Sequence, residues 1–202
     1  ATLERILAYD LQEAGWRATL AMLEVTDNVA AFGNADTCAV IKKCFDGFQL
    51  INSRTIPLIR LLLQVLTRLA ISEQNRTLCI DGAVHDVILH LLYNKDVRKE
   101  LVLDCAKTIQ AFSHNAQLRR FFYDRSVQVF VDILGQAYVT MDGAYIAQLL
   151  TVIQSLCSGY TNLDMGLLGD PEVLIPVIQA VMQHHSHSRD VQTQCCGILQ
   201  IL

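Results

Sequence analysis

Apolar positions recur at i, i+3, i+4 and i+7 in successive blocks along the chain, each closed by a short polar stretch. The clearest run is Ile56–Leu92, IPLIRLLLQVLTRLAISEQNRTLCIDGAVHDVILHLL. It reads as a long apolar helix, a polar break at Ser72 to Asn75, a short helix, an Asp81-Gly82 turn and a second apolar helix. Pro57 suits the first turn of the long helix, where its missing N–H costs nothing. Upstream, Leu3, Ile6, Leu7 and Leu11 mark a helix that Gly15 is expected to end, and Trp16 to Phe32 forms another, stopped by Gly33-Asn34. Asn34 to Asp36 caps a short helix through Val40, and Ile41 to Ile51 is a further amphipathic piece interrupted at Gly47.

Downstream, Asn94 to Asp96 starts a helix over Val97 to Phe112, closed by Ser113-His114-Asn115. Ala116 to Phe122 reads as a short helix, and Asp124-Arg125-Ser126 opens another over Val127 to Tyr138. A helix over Ala144 to Cys157 follows Met141-Asp142-Gly143, and a short segment Leu163 to Leu168 comes next. Asp170-Pro171-Glu172 combines a capping Asp with a Pro just inside a helix that runs to about Met182. The polar run His184 to Asp190 then separates it from a last helix, still apolar at Ile201-Leu202. Period-two alternation is nowhere sustained, so the pattern predicts an all-α chain.

The blocks repeat. Leu69, Phe112, Leu156 and Leu202 recur 43, 44 and 46 residues apart. Three more columns keep the same register: Leu66, Ile109, Ile153 and Leu199; Leu63, Ala106, Leu150 and Cys196; Leu62, Cys105, Leu149 and Cys195. Every member is apolar or a thiol, which predicts one buried stripe copied from helix to helix. A single unit of this size cannot bury its stripe alone, so neighbours must stack.

With that period, NRTLCIDGAVHDVILHLL resembles the armadillo motif of Asn, short helix, Gly, then a helix ending in paired Leu. IPVIQAVMQHHSHSRDVQTQCCGILQIL likewise resembles a second helix running into a long third one. The resemblance implies a right-handed α-solenoid of about five armadillo-like repeats, near 1–33, 34–72, 73–113, 114–158 and 159–202. Leu199 and Leu202 give the last helix no polar outer face, which suggests a single array that is a segment of a larger protein.

Composition narrows the function classes. Hydrophobic residues make up 52% and charged residues 18%, which excludes a disordered chain. A net charge of -4 without a basic block disfavours nucleic acid. Arg60, Gln64 and Arg68 interrupt the longest apolar run, so no membrane span is expected. Charges at Glu4, Arg5, Asp10 and Glu13 exclude a signal peptide there. Seven cysteines, an odd number set in apolar helical patterns, read as reduced, buried thiols and a cytoplasmic or nuclear protein. In that setting Asn75-Arg76-Thr77 is a chance glycosylation sequon.

Candidate chemistry is sparse. His184, His185 and His187 with Cys195 and Cys196 match no standard zinc spacing, and the histidines read as a solvated linker. No metal or cofactor is expected. Cys105, Cys157 and Cys195 sit where an array packs its core, where a thiol is a poor nucleophile, so the chain is expected not to be an enzyme. Arg119-Arg120 beside Phe121-Phe122-Tyr123 reads as core aromatics.

In armadillo arrays the long third helices line a concave groove, and the resemblance implies a protein or peptide partner bound there. The columns beside the stripe supply the candidates: Gln64, Lys107 and Thr151; Arg68 and Ser155; Asp104 and Gln148; and Gln110. Members that read extended basic peptides carry a repeated Trp and Asn in this helix, and these columns hold neither. The expected function is an interaction scaffold for a peptide or helix. The alternative is a structural segment that self-associates through its apolar ends.

Overall fold

The computed structural model describes residues 2–48, 51–158 and 171–201. All regular structure among them is helical. Leu163 to Leu168, Asp170 and Leu202, named above, lie outside the described residues. The chain divides into two compact units, residues 1–115 and 116–202.

Unit 1 holds α1 (Thr2–Met22), α2 (Thr26–Phe32), α3 (Ala35–Asp46), α4 (Ile56–Leu69), α5 (Glu73–Asp81), α6 (Val84–Tyr93) and α7 (Lys95–Phe112). Its centre is α4, which packs against α1, α2 and α7, while α6 lies between α3, α5 and α7. Nine of the fourteen residues of α4 are buried, so it is apolar nearly all round. Each such Leu or Ile contributes about 1.5–3 kcal/mol relative to exposure. Asn52 fixes the approach to α4: its Oδ1 accepts from the Arg54 and Thr55 amides at 2.9 and 3.2 Å.

Two expected breaks are absent from unit 1. Gly15 does not end the first helix, because a lone glycine costs only about 1 kcal/mol in a helix interior. Glu13 and Arg17 pair across it at 2.6 Å, and the Thr19 hydroxyl donates to the Gly15 carbonyl at 3.0 Å. Likewise α3 continues through Val40 and Ile41 to Asp46. Its start is as expected, with Asn34 Oδ1 accepting from the Thr37 amide at 2.8 Å. After α5 the turn differs in detail: Gly82 has φ -80°, and Ala83 takes the left-handed conformation, φ 51°.

Asn75 binds the helix ends together. Its side chain is buried, and Nδ2 donates to Val29 O at 2.9 Å and Leu69 O at 3.1 Å, the last turns of α2 and α4. Gly33 makes room for it, since a Cβ there would lie 1.6 Å from Asn75 Oδ1. An amide engaged in this way is not open to glycosylation.

Unit 2 holds α8 (Ala116–Ala137), α9 (Gly143–Cys157), α10 (Pro171–His184) and α11 (Arg189–Ile201). Here α9 packs between α8 and α11, and α10 contacts both α8 and α11. The break expected at Asp124-Arg125-Ser126 does not occur; α8 is one helix. Arg120 pairs with Asp124 at 3.0 Å, Arg125 lies 4.2 Å over the Phe121 ring, and the buried Ser126 hydroxyl donates to Phe122 O at 2.7 Å. These local bonds absorb the polar groups that read as a helix start. Phe122 and Tyr123 are core, as expected, while Phe121 is half-buried.

The four-column stripe holds along α4, α7 and α9, where every member is buried. It fails on α11, where Cys195 is buried but Cys196 and Leu199 are exposed. That helix buries Val191, Cys195 and Ile198, the face turned to its packing partners α9 and α10. Cys44 is also only half-buried, so the seven thiols are not uniformly interior. His185 corrects the linker reading: its Nε2–H donates to Tyr138 O at 2.8 Å, pinning the end of α10 to the end of α8. Gln192 adds to this closure by donating to Met182 O at 2.9 Å and His185 O at 3.2 Å.

Candidate functional site

The candidate face in unit 1 is built on α4 and α7, whose register is set by polar groups at their seam. Thr67 Oγ1 and Thr108 Oγ1 lie 2.9 Å apart. Each also reaches a carbonyl of its own helix, Leu63 O for Thr67 and Asp104 O for Thr108, both at 2.8 Å. One hydroxyl therefore bonds its own helix while the other donates across. Arg60 forms the second tie, with Nε 3.0 Å from Asp104 Oδ2 and Nη2 donating to Glu100 O at 2.9 Å.

This seam sorts the candidates. Gln64 and Arg68, one turn apart on α4, and Lys107 on α7 are exposed and make no side-chain hydrogen bond or ion pair with a described residue. Asp104 is not free in the way its column suggested: its side chain is 16% exposed and its carboxylate is held by Arg60. Leu61, 43 residues earlier at the equivalent position of α4, is buried, so this position serves packing there. Gln110 is half-buried beside the seam. With Asp104 neutralised, the open polar groups among these candidates are an amide and two cations.

The other three candidates lie on α9 in unit 2. Gln148, Thr151 and Ser155 are all half-buried. The Thr151 hydroxyl is spent on its own helix, donating to Ala147 O at 2.7 Å. Gln154, 44 residues after Gln110, lies against α11, where a Cβ on Gly197 would come 2.1 Å from its Nε2. Gln154 thus faces a helix–helix seam, and the three candidates are only partly open to solvent.

Sequence reasoning missed two arrangements. One is Cys38 and Cys79, whose sulfurs lie 3.6 Å apart between α3 and α5. The other is an open cleft of about 350 Å³ between the same helices, lined in part by Ala35, Ala39, Lys42, Leu78 and Gly82. No spacing signal announces either, because they join residues 41 positions apart in sequence. Elsewhere burial pushes the thiols of Cys157 and Cys195 up to about 12 and that of Cys105 higher still. Among the described residues, no group of three or more His, Cys, Asp or Glu could hold a metal ion, and no helix is long and apolar enough to cross a membrane.

No known family model matches the chain, and no curated protein or solved structure matches it.

Proposed function

We propose that the chain is an armadillo-like array of stacked helices that serves as a non-enzymatic interaction scaffold, with the α4–α7 face as its contact surface for a partner peptide or helix. Supporting the repeat reading, several side-chain contacts between helices join residues about one period apart. Thr67–Thr108 and Cys38–Cys79 span 41 residues, Arg60–Asp104 spans 44, Asn75–Val29 spans 46, and His185–Tyr138 spans 47. Contacts at this spacing, each within one of the two compact units, are what stacked repeats would make.

The observation that carries the binding reading is the set Gln64, Arg68 and Lys107, exposed and without a side-chain partner among the described residues, over a seam locked by Thr67–Thr108 and Arg60–Asp104. A rigid backing with free amide and cationic groups can bond a partner's backbone and carboxylates without first reorganising. Arg68 and Lys107 favour a segment carrying Asp or Glu. Selection of displayed random peptides on the chain, followed by fluorescence anisotropy, tests this. Acidic peptides are expected, with affinity reduced tenfold or more by Arg68→Ala with Lys107→Ala, since each charge-assisted bond contributes about 1.5–3 kcal/mol. Peptides that bind the double variant equally well would place the contact elsewhere.

A second reading, self-association, rests on α11, where the exposed Cys196 and Leu199 leave an apolar strip that no described element covers. Sedimentation of the wild type and of Leu199→Glu over a range of concentrations decides it. A concentration-dependent increase in mass that the substitution removes supports association, and a constant monomer mass rejects it.

A further inference from the structure

The Cys38 and Cys79 sulfurs meet 3.6 Å apart in the interior of unit 1, one from the middle of α3 and one from α5. Both residues are buried, yet the cleft between the two helices runs beside them. Its lining includes the neighbours of each sulfur: Ala35 and Ala39 flank Cys38, and Leu78 and Gly82 flank Cys79. Three of those four are Ala or Gly. At Gly82 an added Cβ would stand 3.4 Å from the Cys38 Cβ, so only a glycine's thickness lies over the pair at that point. Lys42, one turn beyond Cys38, also lines the cleft, where it pairs with Asp46 at 2.7 Å; Lys43 and Asp81 complete a lining of balanced charge.

The two thiols are unequal. The hydrogen bond from the Cys79 thiol holds the Cys38 pKa below its ordinary value, against the burial that raises it. The same bond, with burial and the Cys38 charge, pushes the Cys79 thiol far up. The shared proton lets one sulfur ionise more readily than an isolated buried thiol, and the balance favours Cys38.

We propose that Cys38 and Cys79 are a peroxide-sensitive dithiol that closes to a disulfide between α3 and α5. The oxidant is hydrogen peroxide, small enough to enter through the cleft. The Cys38 thiolate attacks one peroxide oxygen, the O–O bond breaks, and hydroxide leaves, giving a Cys38 sulfenic acid. The Cys79 sulfur then attacks the Cys38 sulfur; the S–O bond breaks, and the departing hydroxide takes the Cys79 proton as water. Two thiols are oxidised by two electrons and one peroxide is reduced to two waters. The sulfurs must close from 3.6 Å to about 2.05 Å, a movement within the range of side-chain rotation and a small approach of the helices. The inference is independent of what the α4–α7 face binds.

The test uses the full chain, folded, in dilute hydrogen peroxide. Free thiols are then blocked by alkylation, and the protein is digested without reductant for mass spectrometry. The expected product joins the Cys38 peptide to the Cys79 peptide, two hydrogens lighter than the separate thiols, and dithiothreitol reverses it. It should form while Cys105 and Cys157, also buried, still alkylate after unfolding. In Cys79→Ser, a dimedone adduct is expected on Cys38. The proposal is overturned if the exposed Cys196 oxidises while Cys38 and Cys79 stay reduced, or if the linked peptide appears only in urea. The wild-type measurement stands even where the variant fails to fold.

Discussion

Asn75 is a small residue on which two helix ends depend. Its amide nitrogen serves Val29 O and Leu69 O together, last-turn carbonyls that otherwise accept only from the Gly33 and Ser72 amides that follow each helix. Asn75→Ala removes both bonds in a buried setting, and a cost of about 2–4 kcal/mol is expected in urea unfolding. Asn75→Asp should cost more, because it turns a carboxylate oxygen toward two carbonyls. Ala83 carries the opposite opportunity. It holds φ 51° with a Cβ that this conformation penalises by about 1–2 kcal/mol, partly offset in a glycine by greater freedom when unfolded. Ala83→Gly is therefore expected to raise stability by up to about 1 kcal/mol, measured by the same unfolding. A loss would show that the Ala83 methyl packs more usefully than its half-buried position suggests.

At the scale of the elements, the α4–α7 seam depends on hydroxyls that an apolar residue of similar shape can replace. Thr108→Val deletes the cross-helix contacts to Thr67 and Leu63 O but leaves Thr67 its own bond to Leu63 O, so a loss of only about 1 kcal/mol is expected by thermal melting. A loss above about 3 kcal/mol would mean that Thr67 is orphaned too. The helices of this seam were legible from sequence because packing dictates their pattern. Leu62, Leu63, Leu66 and Leu69 recur on α7 and α9 in fixed register, and all are buried there. The exposure of Gln64, Arg68 and Lys107 follows from the same register. What failed were signals of local preference. Gly15 and Asp124-Arg125-Ser126 suggested ends, but neighbouring side chains satisfy or bridge the affected turns. Contacts that depend on how one helix is rotated against another were not legible at all. Arg60 with Asp104, Cys38 with Cys79 and His185 with Tyr138 belong to this group.

For the whole molecule, buried thiols tie stability to alkaline pH, because they replace Leu in the stripe of both units. Cys105 occupies on α7 the position of Leu62 on α4, and Cys195 and Cys157 lie in the core of unit 2. Burial holds the Cys157 thiol near 12 against an ordinary 9.0, and the Cys195 thiol likewise. The folded chain thus keeps protons that the unfolded chain gives up. Where the folded pKa is the higher one, the stabilisation is complete below the unfolded value and drains as pH rises toward the folded value. The urea midpoint should be level from about pH 7 to about pH 8.5 and fall beyond about pH 9, each thiol adding a slope of up to about 1.4 kcal/mol per pH unit. Cys157→Ala separates this effect from Tyr and Lys titration: it starts less stable, through the lost packing, but declines less steeply. Equal slopes for the variant and the wild type would remove Cys157 from the account. A midpoint unchanged to about pH 11 would show that the thiols of both units ionise without leaving the core.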